Sequence, residues 1–232
     1  MSDIPMPRRF FVSRLSAIGA ALGLTSTLAC AASGGAADST STAAARSSAL
    51  PPDELETWLA SFNAPHKCIY DCVAPGGGID GILYARNLII SSQEKLATKD
   101  TDFSVIVSFR HFSTPFGYND AMWQKYPALA EIMKFDDPTT KKRAMRNVPL
   151  HDEWNGFSDA SLPGLAKHGV NFTVCGAATT FIAGALAGEK GDAKAVEAEL
   201  FANLVPNTRM VPAGVVVLQR AQKGGFAYTF AG

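Results

Sequence analysis

The chain has 232 residues with 21 basic and 21 acidic side chains, so its formal net charge is zero. From residue 50 onward it carries 17 basic and 19 acidic residues, and nothing in their spacing indicates the basic surface of a nucleic-acid-binding protein. These roughly 180 residues are enough for one domain with a hydrophobic core. We expect neither a metal nor a cofactor in it.

Residues 1–31 have the pattern of a twin-arginine signal peptide. The adjacent Arg8 and Arg9 precede an uncharged stretch, 15–29, that is rich in Ala, Gly and Leu. This apolar stretch of about 15 residues is shorter than the roughly 20 that a membrane-spanning helix needs. We therefore predict export by the twin-arginine route to the periplasm or cell envelope, with an uncleaved membrane anchor as the alternative.

The end of this signal leaves two processing events open. Small residues around Cys30 suit an ordinary signal peptidase, whereas Leu28, Ala29 and Cys30 resemble a lipoprotein cleavage site. In the second case a lipid on Cys30 would tether the protein to the membrane. Residues 32–49 are mostly Ala, Ser, Thr and Gly, which bury too little apolar surface to offset the entropy of ordering, so we predict a flexible linker.

Strands and helices alternate along residues 50–232. Strands are predicted at 67–73, 103–109, 170–175, 210–211 and 226–230. Helices are predicted at 52–62, 79–96, 119–133, 162–168, 177–187 and 193–204, and again through 218. An insert at 114–159 has a polar, turn-rich second half, for which we expect an excursion over the surface. Alternation with short links predicts an α/β fold with a mostly parallel sheet of about five strands and helices on both sides.

The predicted strand ends carry most of the reactive side chains, and ligands of such sheets bind at the carboxyl ends of the strands. The first strand ends at Cys72, the second is followed by Arg110 and His111, and the third ends at Cys175, where a helix begins. A thiol at a helix start lies at the positive end of the helix dipole, which favours the thiolate that attacks or carries sulfur. The alternative is that Cys175 is a small buried hydrophobic residue.

The predicted cysteine positions exclude one disulfide and leave another open. Cys68 and Cys72 face the same side of the first strand but lie about 13 Å apart, too far for a disulfide. Cys72 could instead approach Cys175 at the strand ends, where an oxidising compartment would permit a disulfide. Cys68 is most simply interpreted as a core residue.

Two further groups of residues could hold a ligand. Gly76, Gly77 and Gly78 begin a G-x-G-x-x-G match between a strand and a helix, which suits a nucleotide or another anion but also a plain turn. Asn119 and Trp123, together with the histidine and arginine above, suit an apolar ligand bearing an anionic group. The alternative is that the aromatic residues are core and the arginine pairs with a carboxylate.

The segment 165–175, LAKHGVNFTVC, resembles the DsrE/DsrF (YchN-like) family, in which a helix leads to Gly-Val, a strand and a cysteine. Residues 211–228 are similar to the closing helix and strand of that family, and 66–71 fit its opening strand. The resemblance spans residues 50–232, and its C-terminal third is the most specific part. The export signal and the insert depart from the cytoplasmic sulfur carriers of the family.

The resemblance implies a flavodoxin-like three-layer fold and homo-oligomers, often trimers or hexamers. In the sulfur-handling members a cysteine carries persulfide sulfur, and Cys175 falls on that position. The prediction is therefore a thiol-centred site that takes small sulfur species, for sulfur transfer or thiol redox chemistry. The alternative is a non-catalytic oligomeric module that binds a small anionic ligand, such as a nucleotide at the Gly-rich turn.

Overall fold

Five parallel strands form the centre of the protein in a computed structural model that describes residues 51–232. The strands are β1 His66–Cys72, β2 Phe103–Phe109, β3 Asn171–Cys175, β4 Thr208–Val211 and β5 Ala227–Phe230. Their order across the sheet is β4-β3-β2-β1-β5, and every neighbouring pair is parallel. The α/β prediction with a five-stranded parallel sheet is confirmed. The predicted signal peptide, 1–31, and linker, 32–49, lie outside the described residues.

Eight α-helices accompany the strands in this part of the chain. They are α1 Pro52–Ala60, α2 Pro75–Leu96, α3 Asp120–Lys125, α4 Ala128–Met133, α5 Leu162–Lys167, α6 Gly176–Ala187, α7 Ala193–Ala202 and α8 Gly214–Lys223. None of the described helices is both long enough and apolar enough to cross a membrane. The start of α2 differs from the prediction, because the three successive glycines form its first turn instead of a break before it.

The two faces of the sheet are covered unequally. Steps from β1 to β4 run in one direction, so their right-handed crossovers place α2 to α7 on one face. The chain then returns past β1 to reach β5, and α8 therefore packs on the opposite face beside α1. We call these the α2 face and the α8 face. All seven residues of β2 are buried, since its continuous apolar run is covered on both sides.

The change of face locates the crevice in which a sheet of this kind binds ligands. The chain leaves β3 toward α6 on the α2 face and leaves β4 toward α8 on the other face. Adjacent strands whose following segments diverge leave a crevice at their carboxyl ends. The fold thus predicts the site at the ends of β3 and β4, beside the end of β2.

The second half of the insert packs against the core, so the expected surface excursion is wrong for residues 144–154. Ala144, Val148 and Trp154 are buried there. The buried Asn147 side-chain amide donates to the carbonyl oxygens of Phe116 and Tyr118, each at 2.8 Å. These apolar residues are too widely spaced in a polar sequence to form a recognisable period.

Candidate functional site

A cavity of about 430 Å³ opens at the carboxyl ends of β2, β3 and β4. Its lining brings together four parts of the chain: the residues after β2, the end of α4, the first half of α6 and the start of α8. The lining residues are Arg110, His111, Phe112, Ile132, Cys175, Ala177, Ala178, Phe181, Ile182, Ala213, Gly214 and Val215. Apolar side chains form most of the wall, and Arg110, His111 and Cys175 supply its reactive groups.

Cys175 is both the last residue of β3 and the N-cap of α6. Its Sγ accepts a hydrogen bond from the Ala178 backbone N–H at 3.4 Å. In the strand register it pairs with Val211, a core residue of the α8 face, which places the thiol on that face. An amide donor at a helix start is a favourable neighbour for a sulfur that carries negative charge.

Arg110 is fixed beside this cysteine by contacts on two sides. Its guanidinium donates from Nε to Asp71 Oδ1 at 2.6 Å and from Nη2 to Asp71 Oδ2 at 3.0 Å. Its stem lies against Gly214, where an added Cβ would come within 2.5 Å of the Arg110 Cβ. The hydrogen bonds to Asp71 raise the pKa of Arg110, and Coulomb attraction to Asp71, Tyr228 and Cys175 adds to that effect. The arginine therefore stays charged at the cavity wall. It pairs with a carboxylate, as the alternative interpretation of the sequence predicted.

His111 begins the segment that leads away from β2. Its φ is 56°, in the left-handed region that non-glycine residues seldom adopt. Its exposed ring packs on Phe112 with ring centroids 4.1 Å apart, and both residues line the cavity. The sharp turn places an ionisable ring at the mouth of the cavity instead of within the core.

Cys72 does not belong to this group. It points to the α2 face, is fully buried, and burial together with the charges of Asp71 and Asp80 raises its pKa. Because β2 separates β1 from β3, Cys72 and Cys175 lie about 10 Å apart on opposite faces, beyond the roughly 7 Å limit of a disulfide. Cys68, Cys72 and Cys175 are all free thiols, and the Cys72–Cys175 pairing is wrong.

The Gly-rich segment also lies apart from the cavity lining. A Cβ on Gly77 would come within 2.0 Å of the Gly232 carbonyl oxygen, which accepts hydrogen bonds from the Val73 and Ala74 N–H groups at 2.7 and 3.0 Å. A Cβ on Gly78 would lie 2.6 Å from the Phe116 ring, whereas Gly76 has open space around it. The chain itself thus fills the position that a bound phosphate would need beside Gly77.

Asn119 and Trp123 serve the packing of α3. The Asn119 side chain caps α3 by accepting from the Met122 N–H at 3.3 Å. Trp123 is buried, and its Nε1 donates to the Pro115 carbonyl oxygen at 3.0 Å. Neither residue lines the cavity, so the aromatic part of the predicted ligand site is core.

Asp71, Tyr228 and Phe181 are among the residues at or next to the cavity that the sequence reasoning missed. Asp71 carries a sequence signal, since a carboxylate in an otherwise apolar strand must find a partner when buried. Neither Tyr228 nor Phe181 carries such a sequence signal. The Tyr228 hydroxyl donates to Asp71 Oδ2 at 2.8 Å, and Phe181 is 69% exposed at the mouth of the cavity.

The described residues contain no group of three or more His, Cys, Asp or Glu side chains placed to hold a metal ion. Comparisons of the chain with protein-family models, curated proteins and solved structures found no match.

Proposed function

We propose that this protein is an exported thiol protein of the DsrE-like kind, in which Cys175 accepts and carries sulfane sulfur. The proposal includes delivery to the periplasm or cell envelope and assembly into a homo-oligomer. The observation that carries it is the position of Cys175, whose thiol lines a cavity of about 430 Å³ beside the charged Arg110. All three cysteines are buried, and Cys175 is 7% exposed, but Cys68 and Cys72 lie in the α2-face core and do not line that cavity.

The proposed step needs no oxidant or reductant. The Cys175 thiolate attacks the outer sulfur of a persulfide donor, R–S–SH, and a new Sγ–S bond forms. The S–S bond of the donor breaks, and its electron pair leaves on R–S⁻. The proton stays on the transferred sulfur, so the products are Cys175–S–SH and the donor thiolate.

The surroundings of the thiol support this step. The α6 start and Arg110 both favour negative charge near Sγ, which is where the donor thiolate develops charge as it leaves. Ile182, Phe181 and Val215 make the walls apolar. The same walls would admit an organic donor.

Intact-mass measurement tests the proposal. The reduced protein is incubated with inorganic polysulfide, and we expect a gain of about 32 Da for one sulfur atom. Cys175→Ser should abolish this gain, whereas the control Cys68→Ser should retain it. No gain by a protein whose Cys175 is demonstrably reduced would exclude sulfur transfer.

The size of the cavity favours a second candidate function. A volume of about 430 Å³ lies within the range of small-molecule sites, about 300–1,000 Å³, and far exceeds one sulfur atom. The protein would then bind a small apolar ligand with an anionic group near Arg110, and Cys175 would be part of the wall. Equal octanoate binding by wild type and Cys175→Ser, without sulfur gain in the wild type, would favour this function.

A further inference from the structure

Asp71 is a buried carboxylate held by two partners. Its side chain is 1% exposed and lies on the α8 face of β1. Burial of an ionised carboxylate is costly unless hydrogen bonds and an opposite charge compensate it. Arg110 supplies two hydrogen bonds and the charge, and the Tyr228 hydroxyl supplies a third hydrogen bond of 2.8 Å.

The strand order explains how these three residues meet. β1 lies between β2 and β5, so Asp71 can be reached from both neighbours. Ser108 stands opposite Asp71 on β2, and Thr173 follows on β3, but neither hydroxyl has a hydrogen-bond partner among the described residues. The Asp71 carboxylate is therefore bound by Arg110 and Tyr228 alone within residues 51–232.

The Arg110 guanidinium has limited freedom only because of this carboxylate. Its side chain is 24% exposed, so solvent is an accessible alternative to the cavity wall. Gly214 confines the Cβ, Cγ and Cδ atoms of Arg110, but the charged end is held by Asp71. A planar guanidinium bound at two nitrogens has a fixed orientation as well as a fixed position.

We infer that Asp71 and Tyr228 are positioning residues, which hold the Arg110 charge beside Cys175 so that anionic reagents and donors reach the thiol. The inference rests on the proposed role of the Cys175 cavity. It extends the site from the ends of β2 and β3 to β5 at the sheet edge, through Asp71. The test measures whether the Arg110 charge lies beside Cys175, and it does not require that sulfur be transferred.

Two alkylating agents of similar size provide the test, since iodoacetate is anionic and iodoacetamide is neutral. The quantity measured is the alkylation rate of Cys175 with iodoacetate divided by its rate with iodoacetamide, followed by peptide mass. Arg110→Gln should lower the ratio about threefold, the effect of one unit charge about 7 Å away at the dielectric constant of water. Cys175→Ser confirms that the signal comes from this thiol.

Asp71→Asn then separates positioning from simple charge balance. Removal of a negative charge would by itself raise the ratio, whereas release of the guanidinium lowers it toward the Arg110→Gln value. We expect the fall. The control Asp80→Asn removes an exposed carboxylate that has no bond to Arg110, and its ratio should not fall.

If Asp71→Asn does not fold, Tyr228→Phe provides the test, because Tyr228 is 43% exposed and its replacement keeps the charges of Asp71 and Arg110. The ratio should fall by less than in Asp71→Asn but in the same direction. A ratio that rises or stays unchanged in the folded variants would overturn the positioning role. A full mass gain from polysulfide in those same variants would leave the sulfur-transfer proposal intact.

Discussion

Cys72 and Cys175 each end a strand at the same edge of the sheet, yet their thiols point to opposite faces. Cys72 packs under α2, where a Cβ on Gly81 would come within 2.3 Å of its sulfur. Cys175 lines the cavity between the starts of α6 and α8. Oxidation therefore cannot join these two thiols in an internal disulfide, and Cys175 needs no reduction of such a bond before it reacts.

The first prediction concerns thiol reactivity. Burial raises the pKa of both Cys68 and Cys72, so their thiolates form only at higher pH. Each unit of such a rise removes about nine-tenths of the thiolate at neutral pH. We expect Cys175, which lines the cavity, to react with iodoacetamide faster than either, followed by peptide mass at pH 7.

The pH dependence provides the control for this comparison. Because the pKa of Cys68 is raised, its alkylation rate should keep increasing as the pH rises above 9, beyond the ordinary thiol range. Rates measured with and without a reductant should agree, since the described cysteines are free. If Cys175 is as inert as Cys68, the thiol has no chemical role and the binding function remains.

The second prediction concerns the close approach of α8 to Arg110. Gly214→Ala would place a Cβ 2.5 Å from the Arg110 Cβ, so either the helix start or the arginine must move. We expect a loss of about 1–3 kcal/mol in the free energy of unfolding, measured by urea denaturation. The matched control is Gly184→Ala in α6, where the new Cβ has nothing within 4 Å and should stabilise the helix by up to about 1 kcal/mol. Equal stability of the two variants would contradict the packing described.

The third prediction concerns the attachment of the insert. Asn147→Ala removes both donors to the Phe116 and Tyr118 carbonyl oxygens within the core. The loss should be about 2–4 kcal/mol, because two buried acceptors lose their partner. The exposed Asn87→Ala should change the free energy of unfolding by no more than about 0.5 kcal/mol. An equally small effect of Asn147→Ala would show that the insert is held by other contacts.

The fourth prediction concerns export. Arg8→Lys combined with Arg9→Lys should retain the protein in the cytoplasm, because the twin-arginine route reads the arginine pair itself. Fractionation and immunoblotting would measure the distribution. Arg14→Lys, a change of the same kind outside the pair, should be exported normally. Unhindered appearance of the double variant in the periplasm would mean that another route is used.

Local patterns predicted the elements with strong periods and missed those set by packing. β2 was predicted with its observed bounds because all its side chains are buried. β4 was recognised only at 210–211, since Thr208 and Arg209 precede them and are not apolar. The start of α2 was missed because glycine disfavours helices, although Pro75 at the first helical position is a typical start. Its glycines are explained by the close approach of Gly232 and Phe116, which no local pattern contains.

The residues of the candidate site were likewise predicted only in part. Strand ends brought Arg110, His111 and Cys175 together, because parallel strands carry their carboxyl ends to one edge. The partners of Arg110 could not be predicted, since Asp71 and Tyr228 meet only if β1 lies between β2 and β5. Alternation of strands and helices specifies that the sheet is parallel but not the order of its strands.

The position of β5 beside β1 has a consequence for the order of folding. β1 begins at His66, whereas its neighbour on the far side and the helix that covers its α8 face come from residues 214–230. Contacts between segments so distant in the chain form late. A nascent chain that ends before Thr208 contains Cys175 and Arg110 but lacks the α8 wall, Gly214 and Tyr228. The site is therefore assembled only after synthesis has passed β5, a timing that fits the proposed export of the folded protein by the twin-arginine route.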